Sequence, residues 1–242
     1  MTNAATIGVV GYHNTGKTTL ICKLIERLTE RGYSVSTIKN IPKDGFSMDV
    51  EGTDTWRHGE SGAGLVVAST SGEASFIVKN VMPFEDILRT MDNMTSPDVI
   101  LVEGHKTEDI PKIVLGDIEI DRGGRRYDPD VDDFEEILDY VTEAIEIARI
   151  YVKLPKMDCG KCGCDDCVKM AEAIVRGEKA ISDCVVQEGL VSVTVGGEAI
   201  PMGPFVQDMV SKTIAGMVSS LKGVDREGTD ADITIEIKHA EK

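Results

Sequence analysis

Gly11-Tyr12-His13-Asn14-Thr15-Gly16-Lys17-Thr18 has the make-up of a loop that holds phosphate. A triphosphate needs many donors aimed at one place. A glycine-rich turn that opens a helix supplies backbone N–H groups together with the positive end of the helix dipole. Gly11 and Gly16 permit the backbone path, with His13, Asn14 and Thr15 between them. Lys17 can reach the β and γ phosphates, the Thr18 hydroxyl can take one position on Mg²⁺, and Thr19 follows in the first helical turn. Magnesium also needs a carboxylate at the end of a neighbouring strand, bound directly or through water. Glu103, just after the apolar run Val99-Ile100-Leu101-Val102, is the candidate. A switch-like stretch from Asp49 to Arg57 offers Asp49 or Asp54 near the metal and Arg57 near phosphate, set against ordinary turn and cap chemistry. His13 and Lys39 are weaker candidates, read first as structural or exposed. No Asn-Lys-x-Asp stretch is present, so the residues alone leave guanine and adenine open.

A second chemistry follows far along the chain. Cys159, Cys162, Cys167 and Cys184 give a C-x2-C-x4-C-x16-C arrangement. Three thiolates from a tight glycine-bearing loop and one returning from beyond a helix can surround a [4Fe-4S] cluster. A four-thiolate zinc site and disulfide-forming thiols are the competing readings. Cys164 is an extra thiol outside this spacing, and Cys22 is expected as a buried apolar residue of the first helix. Five of the six cysteines crowd into residues 159–184. In a cytosolic protein such crowding points to metal rather than disulfides.

Elements of matching type are predicted around both motifs. Residues 6–10 read as a buried strand entering the loop, and residues 18–29 as a helix with Leu20, Ile21, Leu24, Ile25 and Leu28 on one face. Further apolar runs at 35–38, 65–68, 76–78, 99–102 and 113–115 alternate with helical or glycine-rich stretches. That alternation predicts a mostly parallel sheet wrapped by helices, an α/β fold. Residues 128–149 are expected to form a closing amphipathic helix that opens at Asp128-Pro129 and buries Phe134, Ile137, Leu138, Val141, Ile145 and Ala148. Three parts follow: a phosphate-loop domain over 1–152, a small cluster domain over 153–188 and an α+β segment over 189–242. In the middle part Cys167, Met170, Ala171, Ile174 and Val175 share a helical face that ends at Gly177. The last part holds a hairpin turning at Gly196-Gly197, a helix over 204–221 and a strand over 233–237. The helix is expected to turn Val206, Met209, Val210, Ile214, Met217 and Leu221 inward, with its methionines as core filler.

Twenty-six basic against forty-two acidic residues give a net charge of −16, which argues against nucleic acid and against anionic membranes as partners. The first residues do not resemble a signal peptide, and no apolar run approaches the roughly 18 residues that span a bilayer. A soluble, cytoplasmic protein is expected.

Residues 5 to 125 resemble the molybdopterin-guanine dinucleotide biosynthesis protein B (MobB) family. The likeness rests on the strand into the phosphate loop, on Gly52-Thr53-Asp54-Thr55-Trp56-Arg57-His58-Gly59-Glu60-Ser61-Gly62-Ala63, and on Val99-Ile100-Leu101-Val102-Glu103-Gly104-His105-Lys106. It implies a P-loop NTPase fold, GTP as ligand, weak GTPase activity, and an accessory role in guanylylation of molybdopterin beside a MobA-like nucleotidyltransferase or a molybdo- or tungstoenzyme. It also implies a homodimer as a state the family adopts. One departure is Asn40-Ile41-Pro42-Lys43-Asp44, where family members usually carry histidines. Residues 154–187 are similar to the small [4Fe-4S] domain of RnfB and of corrinoid iron–sulfur proteins. A nucleotide-gated electron-transfer or metallocofactor-maturation ATPase or GTPase is the alternative reading.

Overall fold

The computed structural model describes residues 2–43, 45–120, 124–186, 191, 193–195, 198–200, 202 and 204–221. The chain divides into a unit of Met1–Ala148 and a unit of Arg149–Lys242, the first ending slightly ahead of residue 152.

The first unit is built on a five-stranded parallel sheet. β1 (Ala5–Gly11), β2 (Val35–Lys39), β5 (Val99–Glu103), β6 (Lys112–Leu115) and β7 (Arg125–Arg126) stand in the order β2-β5-β1-β6-β7. β1 and β5 are apolar at nearly every position because helices cover both faces. On one face α1 (Lys17–Glu30) and α4 (Phe134–Lys153) press Leu20, Leu24, Leu28, Ile137, Leu138 and Ile145 against Ile7, Val9, Leu101 and Ile113. Leu24 and Leu138 are fully buried there, and truncation of either to Ala costs about 2–5 kcal/mol. On the other face α3 (Phe84–Thr95) lays Leu88 on Ile100 and Val102, while Val10, Val114 and Ile118 form an adjoining cluster.

Two of the expected sheet strands belong elsewhere. β3 (Leu65–Ser69) and β4 (Ala74–Val78) pair only with each other, antiparallel, after the short helix α2 (Asp54–Glu60). The Thr70-Ser71-Gly72-Glu73 turn joins them directly, and antiparallel strands need no crossover helix. α4 starts at Phe134 rather than at Asp128, because residues 128–133 form a turn in which Asp132 and Asp133 carboxylates accept the backbone N–H groups of Asp128 and Glu135. Cys22 is exposed: it falls opposite the Leu20–Leu24 stripe of α1 and behaves as a surface thiol.

In the second unit α5 (Cys167–Val175) buries Cys167, Met170, Ala171 and Ala173, and Gly177 ends it in the left-handed conformation. β8 (Val193–Val195) and β9 (Glu198–Ile200) form the antiparallel hairpin; its Gly196-Gly197 turn and the strand expected over 233–237 lie outside the described residues. α6 (Pro204–Ser219) does not turn its methionines inward. Met209, Met217 and Leu221 are exposed, and Gln207 is the buried anchor, donating to the carbonyls of Val186 and Met202. Helical periodicity marks a stripe, but it does not say whether anything covers that stripe. Among the described residues no helix is long and apolar enough to cross a membrane.

Candidate functional site

Five parallel strands deliver their C-terminal ends to one edge, the usual place for a ligand in an open α/β sheet. β1 ends there in the phosphate loop. A Cβ at Gly11 would stand 2.7 Å from the Leu115 carbonyl oxygen and 2.6 Å from Thr15 Oγ1, so only glycine lets β1 turn against β6. Asn14 and Gly16 take positive φ, and α1 opens at Lys17 with no side chain capping its first N–H groups and no acidic residue in its first turn. Those donors and the helix dipole suit an anion. Thr15 Oγ1 donates to the Tyr12 carbonyl over 3.0 Å, and Lys17 Nζ folds back to the same oxygen. His13, Asn14 and Thr19 are exposed along this stretch.

β5 lies beside β1 and brings Glu103 to the loop. Thr18 Oγ1 donates to Glu103 Oε2 over 3.0 Å, and Lys39 Nζ, from the end of β2, meets Glu103 Oε1 at 2.7 Å. Lys39 and Glu103 are register partners across β2 and β5, which gives Lys39 a place at the site that its own sequence neighbourhood does not announce. Burial alone would raise the Glu103 carboxyl. The hydrogen bonds from Lys39 and Thr18 and the charges of Lys39 and Lys17 outweigh it, so the group sits below its ordinary value and stays ionised. A threonine hydroxyl and an ionised carboxylate in contact at a phosphate loop are a donor set that suits Mg²⁺.

The switch-like stretch is arranged differently. Asp54 is exposed in the first turn of α2 and pairs with Arg57 at 3.8 Å. Asp49 is almost fully enclosed: Thr55 and Thr53 hydroxyls donate to its Oδ1, and Lys79 Nζ lies 3.3 Å from its Oδ2. The Thr55 bond chiefly holds its carboxyl below the ordinary value, against burial and with help from Lys79. The Lys79 stem runs over Gly59, where a Cβ would stand 2.3 Å from Lys79 Cε, so Asp49 ties α2 to the β3–β4 hairpin. Nothing near Lys79 in the chain points to this role, since its partner lies thirty positions away.

In the second unit Cys159, Cys162, Cys167 and Cys184 line one small cavity, walled by Leu154, Pro155, Met157, Met170, Val185 and Val186. The loop reaches this shape through positive φ at Lys156, Asp158, Gly160 and Gly163. Asp158 accepts the Cys167 N–H over 2.8 Å, Asp166 caps α5, and Lys179 Nζ donates to the Cys162 carbonyl over 2.9 Å. Burial pushes the Cys167 thiol up, against backbone hydrogen bonds from Asp158 and Met157. Cys164 is not part of the lining; its Sγ lies 3.8 Å from Met170 Sδ. All six cysteines are free thiols. Among the described residues no three His, Cys, Asp or Glu side chains converge closely enough to hold a single ion. Four thiols on one cavity are a donor set that suits a thiolate-held metal centre, iron–sulfur or zinc.

The family model for molybdopterin guanine dinucleotide synthesis protein B matches residues 6–128, and a model described as "Putative Fe-S cluster" matches residues 154–186. The chain is 33% identical over 232 residues to a Methanocaldococcus jannaschii protein described as "Putative molybdopterin-guanine dinucleotide biosynthesis adapter protein", covering 92% of this chain and 94% of that one. It is 38% identical over 110 residues to the Haemophilus influenzae molybdopterin-guanine dinucleotide biosynthesis adapter protein, covering 45% of this chain and 61% of the relative. The crystal structure of Bacillus subtilis MobB aligns over 58% of this chain and 97% of its own, at 21% identity and a TM-score of 0.47.

Proposed function

The chain belongs to the MobB family, and from that premise we propose that it is a GTP-binding adapter of molybdopterin guanine dinucleotide biosynthesis with weak GTPase activity and a [4Fe-4S] cluster. The contact between Thr18 and Glu103 carries this reading, because the two groups that would share one Mg²⁺ already touch beside the phosphate loop. Gly11, His13, Asn14, Thr15, Gly16 and Thr19 shape or border that loop. Lys17 exchanges the Tyr12 carbonyl for the β and γ phosphates. Thr18 and Glu103 would hold Mg²⁺, which would supply charge neutralisation on the phosphates. Asp54, paired with Arg57 on α2, would be a further contributor. Hydrolysis stays slow until a partner completes the site.

Cys159, Cys162, Cys167 and Cys184 are the proposed cluster ligands, supported by the shared cavity and by the matching family model. The partners proposed are a molybdopterin-type cofactor and a MobA-like nucleotidyltransferase or a molybdo- or tungstoenzyme, in a cytoplasm that keeps the thiols reduced. A homodimer is proposed through the outer face of the β3–β4 hairpin. There Leu65 faces Val78 and Val67 faces Phe76 across the register, and all four are exposed. A two-stranded sheet is marginal alone, and an uncharged face of this kind is self-complementary.

The test is formation of guanine dinucleotide by a MobA-like enzyme with and without this chain and GTP. Stimulation that disappears in Lys17→Ala supports the reading, and no stimulation overturns it. A second reading, nucleotide-gated electron transfer, is favoured by the partial exposure of Cys159 and Cys162, which would leave one edge of the cluster near solvent. It predicts cluster reduction that depends on nucleotide.

A further inference from the structure

We propose that Asp117 reads the guanine base, an inference that rests on the GTP reading above and names the residue responsible for it. β6 stands beside β1 with Gly11 opposite Leu115, so the chain leaves β6 at the same sheet edge as the phosphate loop. The next residue, Gly116, turns with φ +73, and a Cβ there would touch Thr15 Cγ2 at 3.7 Å. Its backbone thus lies against the phosphate loop. Asp117 follows and is exposed.

The loop is fixed on both sides of Asp117. Ile118 is buried in the cluster with Val10 and Val114. Arg126 donates to the Gly116 carbonyl over 2.9 Å and to the Ile118 carbonyl over 3.4 Å. The carboxylate is therefore held on a pinned turn, and among the described residues it has no hydrogen-bond or ion-pair partner.

The direction in which a nucleotide must lie points to the same place. Its phosphates belong at the loop after β1, and its base extends over a neighbouring strand end. On the β5–β2 side that edge is occupied by the Glu103–Lys39 pair and the proposed Mg²⁺ position. On the β6 side the turn carries Asp117, which is exposed.

The chemistry discriminates between bases. Guanine presents N1–H and a 2-amino group side by side, two parallel donors that match the two oxygens of one carboxylate. Adenine presents a bare N1 acceptor there, which a carboxylate repels. A site built on such a pair rejects the base that lacks it.

The experiment is calorimetric titration of the full chain, purified anaerobically with Mg²⁺, using GTP, xanthosine triphosphate and ATP. Asp117→Asn and Glu119→Gln, a neighbouring exposed carboxylate, are compared with the unaltered chain, and matched circular dichroism and melting curves show that each variant is folded. We expect Asp117→Asn to lose about 10- to 100-fold in GTP affinity, the scale of charge-assisted hydrogen bonds. The same variant should gain affinity for xanthosine triphosphate, whose 2-oxo group meets the new amide NH₂. Glu119→Gln should leave GTP binding unchanged. An unaltered chain that prefers GTP, with Asp117→Asn binding GTP equally well, overturns this inference and leaves the GTP reading standing. An unaltered chain that binds ATP as tightly as GTP removes both.

Discussion

Thr18 Oγ1 donates to Glu103 Oε2 over 3.0 Å, although the two residues lie 85 positions apart in the chain. β1 and β5 pair in parallel with Val9 opposite Glu103, so the start of α1 and the end of β5 necessarily meet at one sheet edge. Lys39 completes the arrangement from β2 and keeps the carboxylate charged before any cation arrives.

Glu103→Gln keeps the size of the side chain and removes its charge. GTP affinity in the presence of Mg²⁺ should fall by about 10-fold or more, while the much weaker affinity without Mg²⁺ should hardly change. Titrations with and without Mg²⁺ check this, and a variant that retains full Mg²⁺ dependence would remove Glu103 from the metal site.

The acid limb of the same property follows from the direction of the Glu103 shift. Its folded pKa is depressed, so the stabilisation from the ionised carboxylate is complete above the ordinary carboxylate range and is lost as pH falls through the lowered folded value. Mg²⁺-dependent binding should therefore be level from about pH 8 to pH 5 and decline only in stronger acid. Glu103→Gln should abolish that decline. A loss centred near neutral pH in the unaltered chain would assign it to another group.

Cys164 lies outside the cavity that the four other clustered cysteines line. Cys164→Ala should keep the full complement of iron and acid-labile sulfide after anaerobic purification, whereas Cys159→Ala or Cys184→Ala should lose most of both. Equal losses in all three would bring Cys164 into the ligand set, and zinc without sulfide would replace the cluster altogether.

The outer face of the hairpin should be where two copies meet. Phe76→Glu places a charge at the centre of an apolar face and should shift the chain from dimer to monomer in light scattering, with unchanged GTP binding. A monomeric unaltered chain, or a dimer indifferent to this change, would exclude that face.

Local information made the phosphate loop and the first helix legible: strand, glycine turn and amphipathic helix are contiguous, and each reports itself through composition and period. Glu103 was equally visible as the residue after a short apolar run. Lys39 was readable only as a weaker candidate, because its role depends on β2 pairing with β5, a partner 64 residues away. The stretches that became β3 and β4 read as strands, correctly, but a run of five apolar-rich residues does not say which sheet it joins. The short glycine-bearing turn after β3, the four residues Thr70-Ser71-Gly72-Glu73, was the signal for a separate hairpin. α6 shows the same limit on the helical side, since its apolar stripe was readable and its exposure was not. The cysteine spacing, by contrast, singled out Cys159, Cys162, Cys167 and Cys184, whose side chains border one cavity, and spacing does not say what that cavity holds.

The central claim is that the phosphate loop binds Mg²⁺-GTP, and direct titration of the anaerobically purified full chain with GTP measures it. The account predicts saturable binding that strengthens with Mg²⁺ and falls by about 100-fold in Lys17→Ala, since that lysine supplies charge-assisted bonds to the phosphates. Binding that is absent, or that Lys17→Ala leaves intact, would contradict it.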